Sequence, residues 1–357
     1  MNRHVIFVTS ALHGGGAERV IATLANHLVR SGDHVTVLMV AGTESVYRLE
    51  PGVDMISVGQ PSHGNPVTQI KRVFSMRKFF RKHRDSVMIS FGTSINLFTI
   101  MASLGLQNKV IVSERNDPNQ CSYRILRDFI YSFGRNFVFQ TEDAKACFPE
   151  KIQRKSVVIP NPIRNDLPEI YDGIREKKIA AVGRLEPQKN HKLLLEAFAG
   201  FHRKFPEYEL HIFGKGGLEQ ELRQQAVDLG IGDKVVFEGF CSNVLERIRT
   251  WSMYVLSSDY EGISNSLMEA MALGLPCIST DCPIGGSAMC IENGKNGLLV
   301  PLRDKEALRR AMETLAENGK AAEELGREAV KVRSIFAEDR IIAMWSEYME
   351  KGEIQHE

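Results

Sequence analysis

The stretch HVIFVTSALHGGGAERVIATLANHLVRSGDHVTVLMV, residues 4–40, contains two short apolar runs separated by a helical pattern. The first run, HVIFVTS (4–10), is typical of a buried strand, and HVTVLMV (34–40) predicts a second one. Between them, residues 17–32 repeat apolar side chains along one helical face, and Gly32 ends that helix. Strand, helix and strand in this order form the unit from which parallel sheets are built.

The rest of the chain repeats this alternation of strands and helices. In the first half, further strands are predicted at residues 86–91, 109–114 and 137–141. In the second half, strands are predicted at residues 177–184, 208–214, 234–240, 253–258 and 276–280. The sequence therefore predicts an α/β fold with two Rossmann-like, doubly wound parallel sheets in tandem. In such sheets ligands bind beyond the carboxyl ends of the strands, so the loops after those strands are the places to look for chemistry.

A proline-rich segment, VVIPNPIRNDLPEI (157–170), separates the two halves of the chain. Its prolines oppose regular strand pairing, so we interpret the segment as a linker. We place the domain boundary at Pro162, which gives a first domain of residues 1–162 and a second domain of residues 163–335. The remaining segment, residues 336–357, is expected to be a helix that packs back on the first domain.

The composition is that of an ordinary globular protein. The 357 residues are 43% hydrophobic and 25% charged, and the formal net charge of +1 indicates no particular partner, nucleic acid included. The six cysteines form no C-x-x-C pair, which favours a reducing cytoplasm. No apolar stretch approaches the ~20 residues of a membrane span, and the first apolar run is too short for a signal peptide. We expect a cytoplasmic protein whose membrane contact would be peripheral, on the inner face.

Two loops of the second half carry groups suited to an anionic ligand. The loop GRLEPQKN (183–190) follows a predicted strand and brings Arg184 and Lys189 near a helix start, as a diphosphate would require. Taken alone, this loop is better explained by two solvated cations. The segment HIFGKGG (211–217) ends a strand at Gly214, where glycine lets backbone approach a ligand closely. A tight strand-to-helix turn explains these glycines equally well.

The segment SSDYEGISNSLMEAMALGLP (257–276) places two carboxylates, Glu261 and Glu269, on either side of a predicted helix start. Unsatisfied amides at residues 263–266 form a site for phosphate oxygens, and the helix dipole favours their charge. Ser266 and Glu269 also match a capping box, so for Glu269 function and capping are equally good explanations. Glu261 lies outside that cap, and an unpaired carboxylate beside an anion site suggests that it accepts hydrogen bonds from sugar hydroxyls.

Together these motifs resemble those of glycosyltransferase family 4. The resemblance is carried by GRLEPQKN (183–190), EGISNSLME (261–269), ENGKNGLLVP (292–301), LHGGGAER (12–19) and VIPNPI (158–163). Members of this family are retaining enzymes of the GT-B fold, in which two Rossmann-like domains face each other across a cleft. The resemblance is greatest to enzymes that build lipid-linked oligosaccharides and surface polysaccharides, many of which use UDP-hexoses or UDP-hexosamines.

The resemblance implies a reaction. A hexose or N-acetylhexosamine would move from a nucleotide diphosphate sugar, expected to be a UDP-sugar, to a glycan acceptor linked to a polyprenyl diphosphate. No Asp-x-Asp follows a predicted strand, so we expect a site without metal and a protein without a cofactor. With no general base indicated, the leaving phosphate would take the acceptor proton in a front-face attack that retains the anomeric configuration.

The family's residue roles carry over where the motifs match. Arg184 and Lys189 would bind the donor diphosphate and, with Glu261, make up the catalytic set. Glu261 would hold hydroxyls of the transferred sugar, and Glu269 those of the ribose. Further donor contacts would come from Gly214, Gly262, Ile263, Ser264, Asn265 and Ser266, and across the cleft from Gly15 and Gly16 in the first domain.

The stretch SERNDP (113–118) departs from the family pattern. Many members present a histidine near the donor sugar after a strand of the first domain. Here the corresponding positions are Glu114, Arg115, Asn116 and Asp117. Arg115 is our candidate on the acceptor side.

One stretch, TQIKRVFSMRKFFRKHR (68–84), is strongly basic. On a helix, one row of this stretch contains Lys71, Lys78 and Lys82. An adjacent apolar face is predicted to contain Ile70, Val73, Phe74 and Phe80. The simplest interpretation is a solvated helix docked on the sheet, whereas the family resemblance favours contact with the acceptor diphosphate or with an anionic membrane.

Other functions fit the sequence less well. A nicotinamide dehydrogenase is disfavoured because Arg19 stands where G-x-G-x-x-G needs its third glycine, and no acidic residue ends the second strand. A nucleotide-sugar epimerase or a phosphorylase of the same fold remains an alternative to a transferase. Analysis of the products with and without an acceptor separates these activities.

Overall fold

The computed structural model describes residues 3–42, 44–59 and 66–351 of the chain. They form two compact units. The first comprises the residues up to Pro162 together with those from Glu338 onward, and the second comprises Ile163–Ala337. The last helix of the described chain therefore belongs to the first unit, and residues 352–357 of the predicted C-terminal helix lie outside the described residues.

The first unit contains one parallel sheet. In chain order its strands are β1 His4–Thr9, β2 His34–Met39, β3 Val53–Ser57, β4 Val87–Phe91, β5 Lys109–Ser113, β6 Asn136–Phe139 and β7 Ser156–Val158. They pair in the order β3-β2-β1-β4-β5-β6-β7. The central strands are buried on both faces, which explains their continuous apolar sequences. The sequence analysis did not predict β3, which is an exposed edge strand, or β7, which begins just before the segment interpreted as a linker.

Helices cover both faces of this sheet. They are α1 Gly16–Arg30, α2 Pro66–Lys82, α3 Thr93–Ser103, α4 Arg124–Tyr131, α5 Glu142–Ala146, α6 Glu150–Gln153 and, at the end of the described chain, α15 Glu338–Lys351. Apolar side chains of α1 and α15 share a core with one face of the sheet. Those of α2 and α3 share a core with the opposite face, and α4 packs beside α3.

The second unit repeats the plan. Its strands are β8 Glu176–Val182, β9 Glu209–Phe213, β10 Val235–Gly239, β11 Trp251–Leu256, β12 Cys277–Thr280 and β13 Leu298–Val300. They form a parallel sheet in the order β10-β9-β8-β11-β12-β13. The predicted strands are confirmed, and the unpredicted β13 is a short edge strand within ENGKNGLLVP.

The helices of the second unit follow the strands as the sequence pattern indicates. They are α7 His191–His202, α8 Glu219–Asp228, α9 Val244–Ile248, α10 Asn265–Ala272, α11 Gly286–Cys290, α12 Lys305–Glu317, α13 Gly319–Ala329 and α14 Val332–Ile335. Because the strands are parallel, the loops that lead into α7 and α10 both leave the carboxyl edge of the sheet, after the adjacent strands β8 and β11. In the described part of the chain, no helix combines the length and apolar character needed to cross a bilayer.

Candidate functional site

The loops after β8 and β11 are joined by hydrogen bonds. The Asp259 amide donates to the Gln188 carbonyl (2.8 Å), and the Gln188 side chain donates to the Tyr260 carbonyl (3.0 Å). The Ser257 hydroxyl donates to the Lys189 carbonyl (3.0 Å). Hydrogen bonds of this kind hold two loops in one arrangement before any ligand arrives. The predicted diphosphate loop and the predicted carboxylate segment therefore form one preorganised structure.

Glu261 and Lys189 form an ion pair within this structure. The Lys189 ammonium donates to the Glu261 carboxylate, and the Ser258 hydroxyl donates to the same oxygen (2.7 Å). Both charged side chains are largely buried. The sequence analysis treated Glu261 as unpaired, which is wrong. Its charge is tolerated next to an anion site because Lys189 compensates it.

A third loop, after β12, supports the carboxylate segment from behind. The Glu261 amide donates to the Pro283 carbonyl (2.7 Å), and the Ile284 amide donates to the Glu261 carbonyl (3.1 Å). A Cβ atom on Gly286 would lie 1.5 Å from the Gly262 carbonyl oxygen, so only glycine fits there. The backbone around Glu261 is thus fixed on both sides.

Arg184 differs from Lys189 in that it is open to solvent. Its side chain is 63% exposed. Its contacts are long: 3.4 Å to the Gln188 side-chain oxygen and 3.4 Å to the Glu186 carboxylate. Such contacts cost little to exchange for a ligand. The guanidinium can therefore turn toward a phosphate without leaving a buried charge behind.

Gly214 has a structural reason for being glycine. Its φ angle is +140°, and a Cβ atom would lie 1.9 Å from the Gly183 carbonyl oxygen. Gly216 similarly approaches the Leu185 carbonyl oxygen, where a Cβ atom would lie at 2.3 Å. These close approaches are to the loop that carries Arg184, so the packing of the two loops already requires glycine at both positions, and the donor contact of Gly214 stays a prediction.

The start of α10 is capped differently from the prediction. Ser264 is the N-cap residue, and its hydroxyl accepts a bond from the Leu267 amide (3.5 Å). The Ser266 hydroxyl instead donates to the Val182 carbonyl (3.1 Å) and accepts from the Tyr254 hydroxyl (2.8 Å). The capping box of Ser266 and Glu269 is therefore wrong, because Ser266 lies inside the helix. Asn265 begins the helix, and Ile263 and Gly262 precede its cap.

Glu269 lies in the second turn of α10 and is buried. Arg164 lies near enough for their charges to interact: hydrogen bonding to Asp166 raises the pKa of Arg164, and the charge of Glu269 adds to this rise. With the capping explanation removed, the ribose contact of Glu269 stays a prediction.

His191 is a residue that the sequence analysis missed. It begins α7 and is buried beneath the loop that carries Arg184 and Lys189. Burial lowers the pKa of His191 to about 4, and the charge of Lys189 contributes to this lowering. The imidazole is therefore neutral at pH 7 and supports the loop without repelling Lys189. Its position directly after Lys189-Asn190 was the available signal.

The predicted residues of the first unit lie at the carboxyl edge of its own sheet. Gly15 is the N-cap of α1 and Gly16 is its first residue. The Gly15 carbonyl accepts from the Tyr47 hydroxyl (2.7 Å) and from the Arg19 amide (3.1 Å). The loop after β1 therefore leads directly into a helix N-terminus, where backbone amides attract anions.

The SERNDP segment, which follows β5, contains both buried residues that support the fold and an exposed residue. Glu114 is fully buried and accepts bonds from Tyr131, Asn96 and Thr93. Burial raises the pKa of Glu114, an effect that these bonds oppose. Asp117 caps the 3₁₀ helix Pro118–Gln120, whereas Asn116 is exposed. Two of the four candidates for the missing histidine therefore serve the fold.

Arg115 is the exception in this segment. Its guanidinium lies over the rings of Phe91 (4.9 Å) and Trp345 (5.3 Å), and it donates to the Asn161 side chain (3.0 Å). Burial lowers the pKa of Arg115 to about 9. Its Nε and Nη2 atoms are buried from solvent and have no hydrogen-bond partner among the described residues. An arginine held in place with two free donors is suited to binding an anion.

The buried and exposed faces of the basic helix α2 differ from the prediction. The row of Lys71, Lys78 and Lys82 is exposed, as expected. Phe80 is buried and Val73 is partly buried against the core. Ile70 and Phe74, however, are exposed beside the lysines, so the predicted apolar face is wrong for these two. With 3.6 residues per turn, the apolar residues of α2 spread over a broad stripe, and only the side of that stripe that includes Met76 packs against the core.

Comparison with known proteins gives the family. Residues 14–167 match the family model described as "Glycosyltransferase Family 4", and residues 172–332 match the one described as "Glycosyl transferases group 1". The chain belongs to the family 4 glycosyltransferases. The two matches cover most of the chain, so this glycosyltransferase is assigned from both halves rather than from one motif.

Two related proteins come from Campylobacter jejuni. An N-acetylgalactosaminyltransferase that acts on GalNAc-α-(1→4)-GalNAc-α-(1→3)-diNAcBac-PP-undecaprenol is 29% identical over 90% of this chain and 91% of its own. An N-acetylgalactosamine-N,N′-diacetylbacillosaminyl-diphospho-undecaprenol 4-α-N-acetylgalactosaminyltransferase is 26% identical over 90% of this chain and 92% of its own.

Solved structures identify the fold. Anabaena HepE in complex with UDP and glucose superimposes with a TM-score of 0.82 at 16% identity, over 97% of this chain and 99% of that one. Sucrose-phosphate synthase from Thermosynechococcus elongatus gives a TM-score of 0.82 at 17% identity, over 97% and 98% of the two chains. The glycosyltransferase therefore has the two-domain, Rossmann-like GT-B fold.

Proposed function

We propose that this glycosyltransferase moves an N-acetylhexosamine or hexose from a UDP-sugar to a lipid-linked glycan, with retention at the anomeric carbon. The observation that carries the proposal is the buried pair of Lys189 and Glu261, beside the exposed Arg184 and the start of α10. This arrangement combines cations for a diphosphate with a carboxylate for sugar hydroxyls. A nucleotide sugar presents both groups a few ångströms apart.

The donor diphosphate would lie between Arg184, Lys189 and the backbone of residues 262–266. When the bond from the anomeric carbon to the β-phosphate oxygen breaks, its electron pair stays on the phosphate. Negative charge then grows where the two cations and the α10 amides are already placed. The loops need not reorganise during the reaction because hydrogen bonds already join them.

Glu261 would accept hydrogen bonds from hydroxyls of the transferred sugar. Its oxygen bound to Lys189 and Ser258 is already satisfied, so the second carboxylate oxygen is the acceptor for the sugar. Lys189 would then bridge the carboxylate and the diphosphate. Glu269, which is buried in the second turn of α10, would accept from the ribose hydroxyls.

The acceptor hydroxyl would attack the face of the sugar that the phosphate leaves. Its oxygen bonds to the anomeric carbon, and its proton passes to the departing phosphate oxygen. Glu114 is unsuited to be the general base, because it is buried and already hydrogen-bonded to Tyr131, Asn96 and Thr93. The proposal requires neither a cofactor nor a metal, since cations of the chain neutralise the diphosphate.

The acceptor is proposed from the relatives. Both Campylobacter jejuni enzymes are named for substrates on a diphospho-undecaprenol carrier. In this chain, Arg115 offers two free donors for an acceptor phosphate. The exposed lysines of α2 would hold the enzyme at an anionic membrane from the cytoplasmic side, each contributing ~1 kcal/mol. Gly15 and Gly16 would bring amides of α1 to the acceptor or donor phosphates.

The test is a transfer assay with purified protein. UDP-GalNAc, UDP-GlcNAc, UDP-glucose and UDP-galactose are each incubated with a polyprenyl-diphosphate-linked glycan, and products are analysed by mass spectrometry. We expect release of UDP with one of these donors only when the acceptor is present, and equally in excess EDTA. Interconversion of the donor sugars without acceptor would instead establish an epimerase, and release that depends on inorganic phosphate a phosphorylase.

A further inference from the structure

The helix α4 presents apolar side chains to solvent. Its inner face is buried through Arg127, Ile130 and Tyr131. Its outer face and flanks expose a set that we call the α4 patch: Tyr123, Ile125, Leu126, Phe129 and Phe133. Phe129 and Phe133 pack edge to face, with ring centroids 5.3 Å apart. Clustered exposed apolar side chains of this size mark a surface that binds something.

The α4 patch lies on the same layer as α2. Helix α3 contacts both α2 and α4, and the Tyr123 hydroxyl is hydrogen-bonded to the Ser94 hydroxyl at the start of α3 (3.0 Å). Further exposed apolar side chains, Val67, Ile70 and Phe74, lie in the first half of α2. Both helices begin at the carboxyl edge of the sheet, because each follows a parallel strand. The apolar side chains at the starts of the two helices therefore lie near that edge, whereas Phe133 follows the last residue of α4 and lies toward the opposite edge.

The charged side chains of α2 all carry positive charge, whereas α4 carries one carboxylate, Asp128, which pairs with Arg127. The segment 66–84 contains seven of the chain's 45 Lys and Arg residues and neither Asp nor Glu. Within the described part of the chain, five exposed members take part in no ion pair: Lys71, Lys78, Arg81, Lys82 and Arg84. Arg124 adds a further cation beside Ile125. Apolar side chains with unneutralised basic neighbours match a bilayer surface with anionic headgroups.

We propose that the α4 patch inserts into the outer part of an anionic lipid bilayer, with the basic residues of α2 on its headgroups. A second copy of the chain is a poor occupant, because it would bring two unneutralised basic stripes together. The choice of a bilayer rests on the lipid-linked acceptor of the proposed function. Insertion there would bring the carboxyl edge that carries Arg115 to the headgroup level, where an acceptor diphosphate lies.

The direct test is fluorescence of the Phe129→Trp variant. The native residues Trp251 and Trp345 are buried, so the new indole reports on α4. With vesicles of phosphatidylcholine and phosphatidylglycerol, we expect a blue shift and quenching by lipids brominated on their acyl chains. The control, Ile174→Trp, places an indole at another exposed site and should be quenched little. Equal, weak quenching of the two variants would overturn insertion.

A second test removes the patch from the full-length protein. Ile125→Ser/Phe129→Ser is compared with Ile174→Ser/Val227→Ser, whose side chains are similarly exposed (89% and 62% against 95% and 62%). In 0.5 M NaCl, which screens the lysines, we expect the first variant to bind vesicles about 30-fold more weakly, and the control to match wild type. Equal binding of all three proteins would contradict the proposal.

Two further readouts separate this inference from its premises. With a short-chain, water-soluble acceptor, the patch variant should transfer sugar as fast as wild type. Failure of the wild-type protein to transfer sugar would count against the proposed function, and the fluorescence experiment would still test insertion into the bilayer. Sedimentation velocity identifies other occupants: a wild-type dimer that the patch variant converts to a monomer would show that the face binds a second copy, and would overturn the proposal.

Discussion

The two sheets present different carboxyl edges. In the second unit, side chains from neighbouring loops satisfy each other: Lys189 pairs with Glu261, and Gln188 bonds to the loop after β11. In the first unit, Glu114 is equally enclosed, but Arg115 keeps two donors free. One edge is therefore built before its ligand arrives, whereas the other retains two buried donors that have no partner among the described residues. In the proposed function, the prebuilt edge binds the donor and the other edge binds the acceptor.

The largest effect is expected from removing the charge of Glu261. Glu261→Gln keeps the shape of the side chain but weakens its hydrogen bonds to sugar hydroxyls, so kcat should fall roughly 100–1,000-fold. UDP should bind with nearly unchanged affinity, as measured by calorimetry. Glu196→Gln, on the exposed surface of α7, is the control and should leave both unchanged. Full activity of Glu261→Gln would remove this residue from the reaction.

The next effect concerns the ion pair itself. Lys189→Met leaves Glu261 buried without its cation, so the free energy of unfolding should fall by roughly 3 kcal/mol, measured by urea denaturation. UDP affinity should fall as well. The double variant Lys189→Met/Glu261→Gln should recover most of the stability but no activity. If the single variant were as stable as wild type, the pair would not be the preorganised element that we describe.

Arg184 should affect binding and leave stability intact. Because the side chain is exposed and makes only long contacts, Arg184→Ala should unfold at the wild-type urea concentration. Loss of one charged hydrogen-bonding partner costs ~2–5 kcal/mol, so UDP should bind at least about 30-fold more weakly. Lys192→Ala, a nearby exposed cation, is the control and should bind UDP normally. Unchanged affinity of Arg184→Ala would place the diphosphate elsewhere.

The smallest effect is expected at the carboxyl edge of the first unit. Arg115→Gln should raise KM for the lipid-linked acceptor about tenfold, because one charged contact to phosphate is lost. UDP affinity should stay at the wild-type value, since Arg115 belongs to the other unit. Arg115→Lys should restore the KM only partly, because lysine lacks the planar fork. An increase in the donor KM instead would contradict the division of roles between the edges.

The strands that could be predicted from the sequence are those with a continuous local run of apolar residues. Buried central strands such as β1 and β4 are continuous apolar runs, so they are visible without a structure. The edge strand β3 is exposed and β13 spans only Leu298–Val300, so neither has the pattern on which such a prediction depends. Pairing with a neighbouring strand, rather than local sequence, makes these segments strands.

The residues of the candidate site could be predicted from the sequence, but the contacts between them could not. Lys189 and Glu261 are 72 positions apart, and only the adjacency of β8 and β11 brings them together. The helix start was misjudged by two residues, because Ser264 and Ser266 are both good caps and the hydrogen bond from the Ser266 hydroxyl to the Val182 carbonyl decides between them. Likewise, the helical pattern of α2 does not show which of its apolar residues are buried, and the packing of Met76 and Phe80 into the core determines this.

Hydrogen–deuterium exchange of the full-length protein with and without UDP tests the central claim most directly. At 100 times its dissociation constant, UDP contributes about 2.7 kcal/mol, enough to slow exchange where it binds. We predict slower exchange in residues 183–190 and 261–268, and no change in residues 113–117 until the lipid-linked acceptor is added. Unchanged exchange in both second-unit segments at saturating UDP would contradict the assignment of this edge to the donor.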